Sequence, residues 1–99
     1  MTTRIAIIGG GAAGCFAAIC LKERMPEACV TIYESGNKLL AKVAVTGGGR
    51  CNLTNSFMDV RSIEAVYPRG SRLMKRLLRE FSNVDAFKWF ESNGVRLVT

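Results

Sequence analysis

The stretch RIAIIGGGAAGCFAAICLKERMPEACVTIYE, residues 4–34, decides the fold. The apolar run Arg4–Ile8 predicts a short buried strand, which the glycines after it must end. A helix is expected from Ala12 to about Met25, because the ring of Pro26 disfavours helical conformation in the residue before it. The β-branched and aromatic residues of Cys29–Glu34 predict a second strand. The order β-α-β indicates an α/β fold with a parallel sheet, that is, part of a Rossmann-like domain.

The glycines at the first turn have the spacing of a dinucleotide-binding fingerprint, Gly9-x-Gly11-x-x-Gly14. Glu34 follows twenty positions after Gly14. Gly9 permits the tight turn, Gly11 lets the backbone approach a diphosphate, and Gly14 lets the helix pack close to the strand. The unpaired N–H groups at the start of the helix favour an anion there. The predicted contacts on this side are Gly9, Gly10, Gly11, Ala12, Ala13 and Gly14.

The acidic residue after the second strand narrows the choice of cofactor. Glu34 is expected to accept hydrogen bonds from the adenosine ribose and would repel a 2′-phosphate. Ser35 stands where an NADP site tends to place arginine. The first cluster therefore predicts FAD or NAD(H) at this site, and not NADPH.

A second glycine cluster lies in TGGGRCNLTN, residues 46–55. Three successive glycines allow several backbone N–H groups to converge on one oxygen, Arg50 adds a cation, and the Thr and Asn side chains add neutral hydrogen-bonding groups. A plain surface loop is the alternative. Cys51 is interpreted as a packing or backbone-positioning residue, because no partner cysteine is near it in sequence.

Together IAIIGGGAAG, Glu34 and LAKVAVTGGGRCNLTN resemble the N-terminus of the BaiN-like family of NAD(P)/FAD-dependent oxidoreductases. The resemblance covers nearly all 99 residues and implies the N-terminal part of an FAD-binding domain, truncated here and completed by later sequence. It implies hydride transfer from NAD(P)H, the expected co-substrate, through FAD to an unidentified small molecule. It also implies FAD contacts by Lys42, Thr46, Gly47, Gly48, Gly49, Arg50, Cys51, Asn52 and Thr54. No catalytic protein residue is identified.

The rest of the chain predicts an irregular segment and then helices. Residues 35–57 are polar and glycine-rich, and their apolar part, residues 39–45, fits either a short helix or an extended segment. Apolar spacing predicts a helix from about Ser71 to Phe81, and capping signals predict another over residues 83–93. Val95–Val98 is expected to begin a further strand.

Composition sets limits on function. The chain has no histidine, which excludes catalytic triads and His-ligated metals within it, and no metal site is predicted. Four cysteines without CxxC spacing favour reduced thiols in a cytoplasmic protein. The glycines that interrupt the apolar run at residues 5–21 argue against an exported or membrane-inserted segment.

The net charge of +6 is concentrated in a basic stretch. A solvated helix face is the ordinary interpretation of such a stretch. The functional hypothesis is a surface that docks on the remainder of the polypeptide, with nucleic acid ranked second and considered unlikely. The alternative functions are an NAD- or FAD-binding module without catalysis and a small basic nucleic-acid-binding protein. The five cations of the stretch are Arg69, Arg72, Lys75, Arg76 and Arg79.

Overall fold

A computed structural model describes residues 2–58 and 60–98 of the chain. The chain forms two compact units, one through Asn52 and one from Leu53 onward. The elements of the first unit are β1 (Arg4–Ile8), α1 (Ala12–Arg24), β2 (Cys29–Tyr33) and a 3-10 segment (Val43–Gly49). Those of the second unit are α2 (Ile63–Val66), α3 (Ser71–Glu80) and α4 (Asn83–Ser92).

The first unit is a β-α-β structure, which confirms the predicted fold class. β1 and β2 pair in parallel, with Ile5 opposite Val30 and Ile7 opposite Ile32. These four side chains are half-buried and share one face of the sheet, and the Ile7 side chain reaches the start of α1. Burial alternates along both strands, so each strand has one covered face.

The opposite face of the sheet is not covered by the other described residues of the first unit. It includes Ile8, which is 83% exposed, and Tyr33, which is 57% exposed. The sequence predicts a short buried strand at Arg4–Ile8, and that expectation is wrong for the residues of this face. The apolar run is continuous because parallel strands normally have cover on both sides, whereas α1 covers only one.

The end of α1 is tied to the turn that precedes β2. The Lys22 ammonium donates hydrogen bonds to the carbonyls of Pro26 (2.8 Å) and Ala28 (2.9 Å). Ala28 is 5% exposed. These hydrogen bonds give the two carbonyls beyond the helix end a donor. The positive charge of the Lys22 ammonium also interacts favourably with the negative end of the helix dipole.

The segment after β2 forms a 3-10 turn. The sequence allows either a short helix or an extended segment for residues 39–45, and the structure has the helical alternative from Val43 onward. The turn begins at Val43, and its course changes where Gly47 and Gly48 adopt left-handed conformations, with φ of 61° and 66°. A Cβ at Gly47 would lie 2.8 Å from the backbone nitrogen of Asn52, so glycine is required there for packing as well as for conformation. Cys51 also has a positive φ, 56°.

The second unit contains the two expected helices with their predicted starts. At the start of α4 the Ser82 hydroxyl accepts from the Asp85 N–H, while the Asp85 carboxylate accepts from the Ser82 N–H. At its end Gly94 has φ of 86°, its N–H donates to the Glu91 carbonyl, and the Val95 N–H donates to the Phe90 carbonyl. Both helix ends are thus satisfied, by a capping box and a Schellman motif.

Two features of this unit differ from the sequence-based expectation. The short helix α2 was not predicted; Ser62, whose hydroxyl accepts from the Ala65 N–H, is the capping signal that could have indicated it. The strand expected at Val95–Val98 is wrong, because these residues form no regular structure and no described strand pairs with them. A segment of residues that favour β-structure forms a strand only where a neighbouring strand supplies the backbone hydrogen bonds.

Candidate dinucleotide site

The turn between β1 and α1 needs glycine for two different reasons. Gly9 has φ of 103°, and its N–H donates to the Tyr33 carbonyl at 2.8 Å, which joins the turn to the end of β2. A Cβ at Gly14 would lie 2.0 Å from the Gly9 carbonyl oxygen and 3.3 Å from Cγ2 of Ile7. The close approach of α1 to β1 therefore depends on a missing side chain at Gly14.

Gly11 differs from Gly14 because nothing lies within 4 Å of the position where its Cβ would be. It is the N-cap residue of α1, in extended conformation, and no side chain caps this end of the helix. The first backbone bond runs from the Cys15 N–H to the Gly11 carbonyl, so the N–H groups of Ala12, Ala13 and Gly14 precede it. Free N–H donors and the positive end of the helix dipole are an arrangement that favours an anion.

The Glu34 carboxylate joins the glycine turn to the segment after β2. Its Oε1 accepts from the Gly10 N–H at 2.8 Å, and its Oε2 accepts from the Gly36 N–H at 2.7 Å. Hydrogen bonds from Gly36, then Gly10, and a smaller one from the Ser35 side chain lower the pKa of Glu34. The side chain is exposed, and its charged oxygens retain acceptor sites for ligand hydroxyls.

Gly10 lies at the centre of this arrangement and is buried. Its carbonyl accepts from the Leu40 N–H at 2.8 Å and from the Cys15 thiol at 3.6 Å. A Cβ at Gly10 would lie 2.3 Å from Cδ2 of Leu39. The sequence places Gly10 at the site but does not reveal that Leu39 and Leu40 cover it; two adjacent leucines in a polar, glycine-rich stretch are the available signal.

Backbone hydrogen bonds continue from Gly10 toward the second glycine cluster. The Leu40 carbonyl accepts from the Ala44 N–H at 3.0 Å, and the Lys42 carbonyl accepts from the Thr46 N–H at 3.1 Å. The loop of three glycines is then closed by a bond from the Cys51 N–H to the Thr46 carbonyl at 3.0 Å. The two glycine clusters are therefore linked through residues 40–46.

The predicted site residues fall into three groups. Gly9–Gly14, Glu34 and Ser35 lie together around the turn. Lys42 and residues 46–52 belong to the same unit and connect to the turn through the backbone bonds just described. Thr54 belongs to the second unit, so its predicted role in the same site stays a prediction.

The second unit contains a basic groove of about 820 Å³. Phe57, Ile63 and Leu78 supply apolar surface, and Ser82 and Asn83 supply polar groups. We call this surface the α3 groove. Its cations are Arg72, Lys75, Arg76 and Arg79.

A parallel β-α-β unit with this glycine turn, and with an acid directly after its second strand, defines a Rossmann-type nucleotide-binding domain. The chain belongs to the HI0933-like protein Rossmann domain family, whose model matches residues 3–99. The family resemblance expected from the glycine clusters is thereby confirmed.

The curated proteins that the chain resembles include relatives of two kinds. The chain is similar to a 3-dehydro-bile acid delta(4,6)-reductase of Clostridium scindens, with 38% identity over 93% of the chain and 22% of the relative. It is also similar to ribosomal RNA dihydrouridine synthases of Haemophilus influenzae (32% identity) and Escherichia coli (29% identity), each over 90% of the chain and 21% of the relative. The chain thus spans about a fifth of the length of these relatives. No solved structure matches it significantly.

Among the described residues, no helix is both long enough and apolar enough to cross a membrane.

Proposed function

We propose that this chain is the FAD-binding N-terminal segment of a flavoprotein oxidoreductase that transfers hydride between a reduced nicotinamide, NADH or NADPH, and a small-molecule substrate. The geometry around α1 supports the proposal most strongly. Gly11 leaves open space beside the uncapped helix start, and Glu34 lies beside the same turn. Similarity to a named reductase supports the redox class.

The residues present fit an adenine dinucleotide. The N–H groups of Ala12, Ala13 and Gly14 suit a diphosphate, which needs several donors and favours the positive end of a helix. The pKa of Glu34 lies below the usual value of 4.5, so its carboxylate is ionised at neutral pH, as an acceptor for the ribose hydroxyls requires. The missing Cβ at Gly11 leaves room for the diphosphate to approach the backbone.

Bound FAD would supply the hydride-accepting and hydride-donating chemistry, while the protein supplies binding and orientation. In this proposal Arg50 and the N–H groups of residues 47–49 hold the polar parts of the cofactor beyond the diphosphate. The backbone links from Gly10 through Leu40 to Thr46 fix the second cluster relative to the first.

The open sheet face supports a larger FAD domain than these residues form alone. Parallel sheets in α/β proteins are covered on both faces, and Ile8 and Tyr33 lie on a face that the other described residues of the first unit do not cover. The relatives are about five times longer than the matched region. We infer that the remainder of the polypeptide packs on this face, in a cytoplasmic protein whose four free cysteines suit a reducing compartment.

Substitution at Glu34 tests the cofactor assignment. In the full-length protein, Glu34→Arg should abolish tight FAD binding, because it replaces the ribose acceptor with a cation and removes the hydrogen bonds from the Gly10 and Gly36 N–H groups. Glu23→Arg makes the same change of charge on the exposed part of α1 and should leave FAD affinity unchanged. Flavin fluorescence during titration of the apoprotein measures both. Equal affinities of Glu34→Arg and wild type would contradict the ribose assignment.

Anaerobic mixing with a reduced nicotinamide tests the redox step separately. NADH or NADPH should bleach the flavin absorbance of the holoprotein, and the faster of the two identifies the co-substrate. A holoprotein whose flavin neither nicotinamide reduces would contradict hydride transfer while leaving FAD binding intact. It would favour a binding module without catalysis.

A second candidate substrate is a base in ribosomal RNA. Two relatives carry the name ribosomal RNA dihydrouridine synthase, and dihydrouridine is uridine with one ring double bond reduced, which is the same type of hydride chemistry. The cations of the α3 groove favour a polyanionic substrate. Mass spectrometry of ribosomal RNA from cells that lack the gene distinguishes the candidates: the RNA substrate predicts that dihydrouridine is lost, and the small-molecule substrate predicts no change.

A further inference from the structure

The basic and apolar residues of α3 lie on opposite sides of the helix. Arg72, Lys75, Arg76 and Arg79 share one face of the helix, because Arg72 lies three and four positions before the adjacent pair Lys75 and Arg76, and Arg79 lies four and three positions after them. The apolar residues Leu73, Met74, Leu77 and Leu78 fall on the other side. The positive charge thus lies along one side of the helix. The row from Arg72 to Arg79 is about 10 Å long, at 1.5 Å per residue.

Most of this positive charge is not neutralised within the described residues. The Lys75 ammonium pairs with the Glu64 carboxylate, whereas no carboxylate forms an ion pair with Arg72, Arg76 or Arg79 in the part of the chain that the structure describes. Asp85, at the neighbouring helix start, is engaged with Ser82 in the capping box. The acid on α3 itself is Glu80, which occupies the last position of the helix.

The start of α3 lacks the stabilisation that α4 has. The N-cap of α3 is Gly70, without a capping side chain, and its first turn contains no acid. Arg72 near this end lies at the positive pole of the helix dipole, which is an unfavourable position for a cation. A bound polyanion would offset both the repulsion among the arginines and this opposition to the dipole.

The α3 groove also contains features that a solvated basic face does not need. Phe57, Ile63 and Leu78 line the same groove as the cations. Phe57 is half-buried with a left-handed φ of 59°, and its N–H donates to the Asn55 side chain at 2.8 Å. An aromatic ring beside a row of guanidinium groups suits a ligand that has both phosphates and flat bases.

We propose that the α3 groove binds a single-stranded segment of RNA, with its phosphates on Arg72, Arg76 and Arg79 and a base against Phe57. The proposal rests on the second candidate function and assigns it a docking surface. An acidic protein segment would satisfy the cations equally well but would have no use for the aromatic ring. The planar fork of arginine donates two hydrogen bonds at once to a phosphate or to a carboxylate, so the choice of RNA rests on the aromatic ring.

Binding of a fluorescently labelled single-stranded RNA of mixed sequence to the full-length holoprotein tests the proposal, with anisotropy recorded over a range of salt concentrations. The variant Arg72→Ala/Arg76→Ala should weaken binding about tenfold or more at low salt and reduce the salt slope by about 1.4, or about 0.7 for each lost phosphate contact. The control Lys88→Ala/Arg96→Ala removes the same charge from the second unit outside the groove and should bind like wild type. Phe57→Ala should weaken RNA binding with little change in salt slope.

Three outcomes would overturn the proposal: undetectable RNA binding by wild type, equal loss in the control and groove variants, or poly-glutamate that displaces RNA at equal charge concentration. The last outcome would assign the groove to an acidic protein segment. The flavin absorbance of every variant is measured in the same samples. Flavin retained without RNA binding overturns this inference alone, whereas absent flavin contradicts the proposed function.

Discussion

At the scale of single residues, two glycines of one fingerprint have different physical roles. Gly14 is required by packing, because its Cβ position lies against the Gly9 carbonyl oxygen. Gly11 has free space around its Cβ position and an extended backbone that any residue can adopt. A motif match alone does not separate a glycine that the fold requires from one that a ligand requires.

Alanine at each position should separate these roles. We expect Gly14→Ala to lower the free energy of unfolding by about 2 kcal/mol, because the overlap with the Gly9 carbonyl outweighs the better helix propensity of alanine. Gly11→Ala should cost less than about 1 kcal/mol and still weaken FAD binding strongly. Chemical denaturation and flavin titration measure the two effects. Equal destabilisation by both substitutions would contradict the distinction.

Glu34 predicts a specific dependence of stability on pH. Its pKa is lowered below the usual 4.5 by hydrogen bonds from Gly36 and Gly10. Folding is therefore stabilised while the carboxylate is ionised, and this contribution is lost as the pH falls from about 4.5 through the lower pKa of the folded state. The stability difference between wild type and Glu34→Gln should shrink over that interval. A difference that stays constant with pH would contradict the two hydrogen bonds.

At the scale of elements, α4 is stabilised by its own caps. Ser82→Ala should lower the free energy of unfolding by about 1 kcal/mol, because the Asp85 N–H loses its acceptor at the helix start. Ser92→Ala, which removes only an exposed hydroxyl that donates to the Trp89 carbonyl, is the matched control. Helical circular dichroism during denaturation measures both variants. An equal effect of the two substitutions would show that the capping box contributes nothing.

Whether an element can be predicted from the sequence depends on whether it is stabilised by its own residues or by contacts with distant ones. The turn, α1 and α4 are specified by local signals such as glycine spacing and capping residues, and they lie where those signals predict. A strand needs a partner, so Val95–Val98 could not be judged from its own residues. The cover of Gly10 by Leu39 and Leu40 depends on a contact about thirty positions away, which no local pattern encodes.

At the scale of the whole molecule, the two units suggest a division of roles. The first unit contains the β-α-β structure and the acid that together favour an adenine dinucleotide. The second contains the basic groove, for which we propose RNA. An enzyme that reduces a base in RNA requires both a redox cofactor and a surface for the phosphate backbone. The named relatives include enzymes of this kind.

The flavin content of the purified full-length protein tests the central claim most directly. We predict a yellow protein that releases about one FAD per chain on denaturation, since the chain has one fingerprint turn with its paired acid. The Glu34→Arg variant purified in parallel should be colourless, and Glu23→Arg should be yellow. A colourless wild-type protein that gains no flavin on refolding with FAD would contradict the account.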